Sequence, residues 1–270
     1  GSTIVKVLHD DLLKSKFLFY LLKLFQKKIR LAAQGAAIPH LNKTFINGIK
    51  IPLPPLKIQK QIVERLDKIA EAQKLNNDLI QKSDELFQSL LHKELNPAGK
   101  DWKVKKLREI CEINPSKAEI NKLSPTTNVS FLAMADVSES AEIIGRQERK
   151  LAEVKNGFTF FKDGDVLVAK ITPCFENGKG AFVENMLNGI GFGSTEFHVL
   201  RANQELLLSR LLYYLVSDNK FRQTGARFLT GSAGQQRVPI HYLENIKIPL
   251  PPLEIQKQIV AKLSAVQDYK

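Results

Sequence analysis

The chain is poor in the residues on which metal sites, disulfide frameworks and membrane spans depend. Its two cysteines, Cys111 and Cys174, stand far apart with no metal-ligand spacing. They read as ordinary partly buried thiols and suit a reducing compartment. The five histidines, His9, His40, His92, His198 and His241, form no pair spaced for zinc or for activating a nucleophile. Long apolar runs are missing. Phe17 to Leu22 is among the longest, far short of the roughly 20 residues a membrane span needs. Lys6, His9, Asp10 and Asp11 interrupt the place where a secretory apolar segment would lie. A mean hydropathy of −0.18 agrees, and the expectation is a cytoplasmic chain with no membrane partner.

Catalytic signatures are also missing. The Pro-Pro pairs lie between leucines, not in the Asp/Asn-Pro-Pro-aromatic setting of a DNA methyltransferase, and no adenosylmethionine loop is visible. Around Asn177-Gly178-Lys179-Gly180, Pro173 stands where a nucleotide-binding loop needs its first glycine, and Gly180 where it needs Ser or Thr. Asp136 with Glu153 and Lys155 has the composition of a magnesium nuclease, but such triplets are common by chance. The expectation is no cofactor, no metal and no catalytic site. Acidic side chains are scarce: 28 Asp and Glu face 40 Lys and Arg, for a net charge of +12. That imbalance favours a polyanionic partner, since each neutralised phosphate releases counterions; an acidic protein would also be attracted.

The chain does contain an internal repeat. Residues 49–66 read IKIPLPPLKIQKQIVERL and residues 246–263 read IKIPLPPLEIQKQIVAKL, differing only at Lys57/Glu254, Glu64/Ala261 and Arg65/Lys262. Weaker matches lie upstream: Gly1-Ser2-Thr3 with Gly193-Ser194-Thr195, Val7-Leu8 with Val199-Leu200, and Leu18 to Leu22 with Leu211 to Leu215. A glycine-containing loop follows in each copy, Gln34 to His40 and Gly231 to Arg237. The first copy therefore begins in the middle of a unit, and the second ends early in its trailing helix.

Local signals fill in the architecture. Ile49–Leu53 and Ile246–Leu250 are strand-like, and each ends at a Pro-Pro pair that suits a helix start. From Lys57 to Leu95 there is neither Pro nor Gly, and Asn96-Pro97-Ala98-Gly99 stops the helix. About 40 residues at 1.5 Å each make a helix on the order of 60 Å long. Ile62, Leu66, Ile69, Gln73, Asn76, Ile80, Ser83, Phe87 and Leu90 follow heptad-like spacing, so Ile62, Leu66, Ile69, Ile80, Phe87 and Leu90 are the expected packing residues of a coiled-coil-type helix. Residues 101–253 read as mixed helix and strand. A hairpin is expected from Phe158–Phe161 to Asp165–Ile171, with strands at Ala181–Glu184 and Glu196–Leu200 and a helix at Leu206–Leu215. The fold class is α+β, one globular domain joined to a long spacer helix.

The duplicated junction resembles that of type I restriction-modification specificity subunits, where it joins a target-recognition domain to a long spacer helix. Trp102 to Leu107 with Ile110 to Ile113, Asp163 to Pro173 with Asn177 to Gly180, Gly193 to Phe197, and Gly231 to Val238 are similar to further parts of such a domain. The resemblance implies this organisation: residues 1–53 the later part of a first recognition domain, 54–100 the spacer helix, 101–253 a second recognition domain, and 254–270 the start of a second spacer helix. It implies double-stranded DNA as ligand, with modification (methyltransferase) and restriction subunits, or a second copy of the chain through its helices, as partners. Cleavage and methylation would reside in other chains. Two recognition domains would read two half-sites; here only the second is whole. Gln235, Gln236 and Arg237 have base-reading chemistry, because Gln suits adenine and Arg suits guanine. Lys170, Thr172, Asn177 and Lys179 form a second cluster, with the lysines suited to phosphate contact. Lys220, Arg222 and Arg227 read better as a solvated basic face. The competing reading is a scaffold that assembles through its long helix without specific DNA reading.

Overall fold

The structure, a computed structural model, describes residues 11–32, 48–232 and 234–267. Two compact units divide the chain, residues 1–81 and 82–270. Helices and sheets are both present, as expected of the α+β class. The first unit holds α1 (Ser15–Leu24), α2 (Gln26–Ala32) and most of α3 (Leu56–Glu94), a 39-residue helix whose last turns belong to the second unit. The Pro55 carbonyl accepts from Ile58 and Gln59 N–H, so the Pro-Pro pair opens α3. Asn96 and Pro97 follow its end, with Gly99 at φ +73°. Leu13, Phe17, Leu18 and Leu21 form a small core with Leu22, Ile51, Ile62 and Val63.

In the second unit the chain builds two four-stranded sheets and a ribbon. β1 (Lys103–Lys106) pairs antiparallel with β10 (Lys247–Leu250). One sheet has the order β2 (Cys111–Ile113), β9 (Phe197–Ala202), β6 (Val166–Ala169), β7 (Gly180–Phe182), all antiparallel. The other runs β4 (Gln147–Lys150), β3 (Asn128–Leu132), β8 (Ile190–Gly193), β5 (Thr159–Lys162), with β3 and β8 parallel. Alternation along β6 explains the layering. Leu167 and Ala169 face the second sheet's Leu132 and Phe161. Val166 and Val168 face the helical layer of α5 (Ser209–Val216), α6 (Asn219–Gly225), α7 (Ile240–Asn245) and α8 (Leu253–Gln267), with Phe87, Leu91 and Leu95 of α3. The four-residue α4 (Leu151–Val154) covers the far face of the second sheet with Val129, Phe131 and Phe192.

Two local expectations are corrected. The hairpin across Lys162-Asp163-Gly164 does not form, because β5 and β6 enter different sheets. The turn between them is a corner pinned by Asp165, whose buried carboxylate accepts from Lys162 N–H at 2.9 Å and from Arg201 Nε and Nη2 at 2.8 Å each. Ile49–Leu53 is no strand where described, whereas Ile246–Leu250 forms β10. The partner of β10 is β1, at the front of the same domain; among the described residues no strand pairs with Ile49–Leu53.

The repeat is built in atoms as well as letters. Gln59 is fully buried; its Oε1 accepts from Lys14 N–H at 2.9 Å, and its Nε2 donates to the Leu12 and Pro54 carbonyls at 2.8 Å each. Gln256, also fully buried, accepts from Leu208 N–H at 2.9 Å and donates to the Leu206 and Pro251 carbonyls at 2.8 Å each. Tyr20 donates to Asp67 at 2.7 Å, and Tyr214 bonds Ser264 at the same distance. These pairs align Tyr20 with Tyr214 and Lys14 with Leu208, one residue away from the Leu18/Leu211 alignment expected from sequence.

The heptad-like stripe on α3 is buried only towards its ends. Phe87 is 3% exposed and stacks edge-on with Tyr214 at 5.3 Å. Ile62, Leu66 and Leu90 are half-buried. Ile69 and Ile80 are 54% and 37% exposed. Ser83 donates to the Val266 carbonyl at 3.2 Å. Leu75 and Leu79 are also exposed, so the middle of α3 presents apolar side chains to solvent among the described residues. In the first copy, the Gly1–Thr3, Val7-Leu8 and Gln34–His40 matches lie outside the described residues.

Candidate nucleic-acid interface

The two polar clusters singled out in the sequence converge at one end of the sheet β2-β9-β6-β7. β6 runs out into Lys170, Ile171 and Thr172, while Glu196 leads into β9. Lys170 N–H donates to the Glu196 carbonyl at 2.8 Å, tying the two exits together. Residues 230–237 fold back as a tight loop. Thr230 and Arg237 exchange backbone hydrogen bonds at 3.0 and 2.8 Å. Gly231 sits at φ +120°, where a side chain would crowd the Gln235 carbonyl. The loop is then fastened to the β6 exit. Thr172 N–H donates to the Gln236 carbonyl at 2.9 Å, Gln236 N–H to Thr172 Oγ1 at 3.1 Å, and Val238 N–H to the Lys170 carbonyl at 2.8 Å.

Arg237 is the centre of this construction. Its Nε donates to Glu196 Oε2 at 2.9 Å and its Nη2 to Oε1 at 2.7 Å, a two-bond fork, while Nη1 donates to the Gln235 carbonyl at 3.1 Å. The Glu196 carboxyl is held below its ordinary range chiefly by that hydrogen bond from Arg237. Gln235 is exposed, and Gln236, Lys170 and Thr172 are half-buried. Beneath the loop, the buried His198 fixes its stem. His198 Nε2 donates to the Val238 carbonyl at 2.9 Å, which leaves Nδ1 to accept from Asn114 Nδ2 at 3.2 Å. Burial pushes this imidazole below its usual value, so the neutral form is the one built into the fold.

Asn177 and Lys179 stand apart from that cluster in role. Asn177 donates to Glu139 at 2.7 Å, and the half-buried Lys179 donates to the Met134 carbonyl at 3.3 Å. Their polar ends are engaged within the protein, and Lys179 is less available for phosphate than its position in the sequence suggests. Arg222 packs its guanidinium over Gly178 and donates to the Ser217 carbonyl at 3.0 Å. Burial lowers its pKa; it props the 171–178 loop and is not a member of a solvated face. Glu196 and His198 were not foreseen as parts of the site. Their partners lie about 40 residues away in the chain, beyond any local signal. No group of three or more His, Cys, Asp or Glu converges among the described residues. Burial pushes the Cys111 thiol up to about 12, so it is held unreactive.

A sequence model described as the type I restriction modification DNA specificity domain matches residues 2–82 and 99–270. The chain belongs to that family. The specificity-domain chain is 39% identical over 171 residues to the EcoAI specificity subunit of Escherichia coli, covering 62% of this chain and 28% of that protein. It is 27% identical over 294 residues to the MjaVIII specificity subunit of Methanocaldococcus jannaschii, covering 99% of this chain and 67% of the relative. A solved chain from a study of assembly and conformational transition of the type I R-M system shares its fold with a TM-score of 0.55 at 23% identity, covering 94% of this chain and 63% of that one. The specificity-domain chain thus spans only part of the length of these relatives. No helix among its described residues is long and apolar enough to cross a membrane.

Proposed function

We propose that this chain is a sequence-specific DNA-recognition subunit of a type I restriction-modification complex, without catalysis of its own, acting in the cytoplasm. Residues 101–253 serve as a target-recognition domain that reads one half-site of double-stranded DNA. Residues 54–100 and 254–270 serve as spacer helices that dock modification and restriction subunits or a second copy of the chain, and residues 1–53 as the later part of another recognition domain. Gln235, Gln236 and Arg237 meet base edges; Lys170 and Thr172 hold the neighbouring backbone, with Asn177 and Lys179 shaping the adjoining loop. One observation carries this reading: segments distant in sequence are hydrogen-bonded into a single polar edge with Arg237 at its centre, in a chain of the DNA specificity family. The net charge of +12 supports a polyanionic ligand.

The test is binding of target and scrambled duplexes, at several salt concentrations, by the complex reconstituted with its modification subunit. Arg237→Ala is expected to reduce discrimination between them. Unchanged discrimination sinks the assignment of Arg237; absence of any preference in the unaltered complex favours the scaffold reading.

A further inference from the structure

The way Arg237 is held leaves a particular pair of donors over. A guanidinium carries five N–H groups: one on Nε and two on each Nη. Glu196 takes one from Nε and one from Nη2, and the Gln235 carbonyl takes one from Nη1. What remains is one hydrogen on Nη1 and one on Nη2, the two nitrogens that flank the far edge of the group. The Arg237 side chain is 43% exposed against 24% for Glu196, so the carboxylate lies on the inner side.

We infer that Arg237 reads a guanine through these two remaining donors, and that Glu196 is the positioning residue that aims them. Guanine offers two acceptors side by side in the major groove, N7 and O6, one for each hydrogen. Adenine offers an acceptor beside an amino donor, so one of the two hydrogens would face another. Phosphate oxygens could also take two hydrogens, but attraction to phosphate depends on net positive charge. A carboxylate bonded directly to the guanidinium cancels most of that charge. Reading a neutral base edge depends on donor direction, which the same carboxylate fixes. Glu196 is itself anchored: its N–H donates to Ser194 Oγ at 3.2 Å, and its carbonyl receives the Lys170 N–H. The backbone of Arg237 is clasped by bridges to both Thr230 and Ile171. Neither partner has to be ordered when DNA arrives.

This inference rests on the DNA-reading function proposed above, and the experiment separates the two. Selection from a random duplex library, using the complex with its modification subunit, defines the half-site assigned to residues 101–253. Each guanine of that half-site is then replaced singly by 7-deazaguanine, which lacks the N7 acceptor. One such replacement is expected to weaken binding by the unaltered complex about tenfold and to have no effect on Arg237→Ala. In Glu196→Ala that guanine's effect is also lost, while binding to scrambled duplex rises because a negative charge has gone. A purely structural role for Glu196 would instead weaken binding to target and scrambled duplexes alike. Glu196→Gln, which preserves shape and one acceptor, is expected to keep part of the effect, and guards against a misfolded alanine variant. If duplexes are discriminated but no guanine couples to Arg237, the inference is overturned. It is equally overturned if Arg237→Ala weakens all duplexes alike and flattens the salt dependence, the signature of a phosphate contact. If the unaltered complex shows no sequence preference, the proposed function falls and takes this inference with it.

Discussion

Gln256→Met isolates what the buried glutamine contributes. The substitution roughly conserves volume and removes the amide. Three main-chain groups then lose their partner: Leu208 N–H and the carbonyls of Leu206 and Pro251. Each satisfied hydrogen bond contributes about 1 kcal/mol net, and each buried group left without a partner costs about 1–3 kcal/mol. Carbonyls tolerate the loss better than an N–H, so the expected destabilisation is about 3–5 kcal/mol, large for a single substitution. Gln256→Ala should cost less, about 2–3 kcal/mol, if the space admits a water that bonds the orphaned groups. Urea unfolding followed by the emission of Trp102, the single tryptophan, measures both. A Gln256→Met variant within about 0.5 kcal/mol of the unaltered protein would refute the reasoning, because it would mean that the three groups find other partners.

Other substitutions test the remaining parts of the structure. Asp165→Ala should cost about 3 kcal/mol in denaturant, since it takes two bonds from the Arg201 guanidinium, leaving it Glu119 alone, and the acceptor from Lys162 N–H at the corner between the sheets. Ile80→Asp should leave stability within about 0.5 kcal/mol yet weaken assembly measured by light scattering, whereas the buried Phe87→Asp should cost about 3 kcal/mol or more in the chain itself. His198 makes stability depend on pH. Its folded-state value is depressed by burial, so the unfolded chain takes up the proton first. The stabilisation is complete above the ordinary imidazole value of about 6.5 and is lost as pH falls through the lower folded value. The stability difference between the unaltered protein and His198→Gln should therefore shrink on acidification; parallel stability curves from pH 7.5 to 5 would contradict it.

Much of this was legible because the signals are local. The Pro-Pro start, the run without Pro or Gly and the Asn96 to Gly99 stop are contiguous, and α3 follows them to within a residue or two. The repeat marked the junction, although its one-residue misalignment upstream shows that Leu-rich stretches carry little register information. Sheet membership was not legible. β5 and β6 are strands joined by a short turn, the pattern of a hairpin, yet the Asp165–Arg201 pair holds a corner there. In the candidate site, the residue types at 170–172 and 235–237 were visible as base-reading and phosphate-binding chemistry. Glu196 was not, because its role arises only when strand pairing delivers it to Arg237. Asn177 and Lys179 illustrate the reverse case, where plausible polar ends are drawn inward by partners that local sequence does not reveal.

The glutamine clasp at the start of α3 and of α8 touches only main-chain atoms. Gln59 holds Leu12, Lys14 and Pro54, and Gln256 holds Leu206, Leu208 and Pro251; a lysine in one copy stands where the other has a leucine, with no change in the bonds. These bonds are therefore indifferent to the side chains at the clasped positions. A segment that offers the same turn of backbone meets the same clasp, so the residues that form that turn can vary while the coupling stays standard.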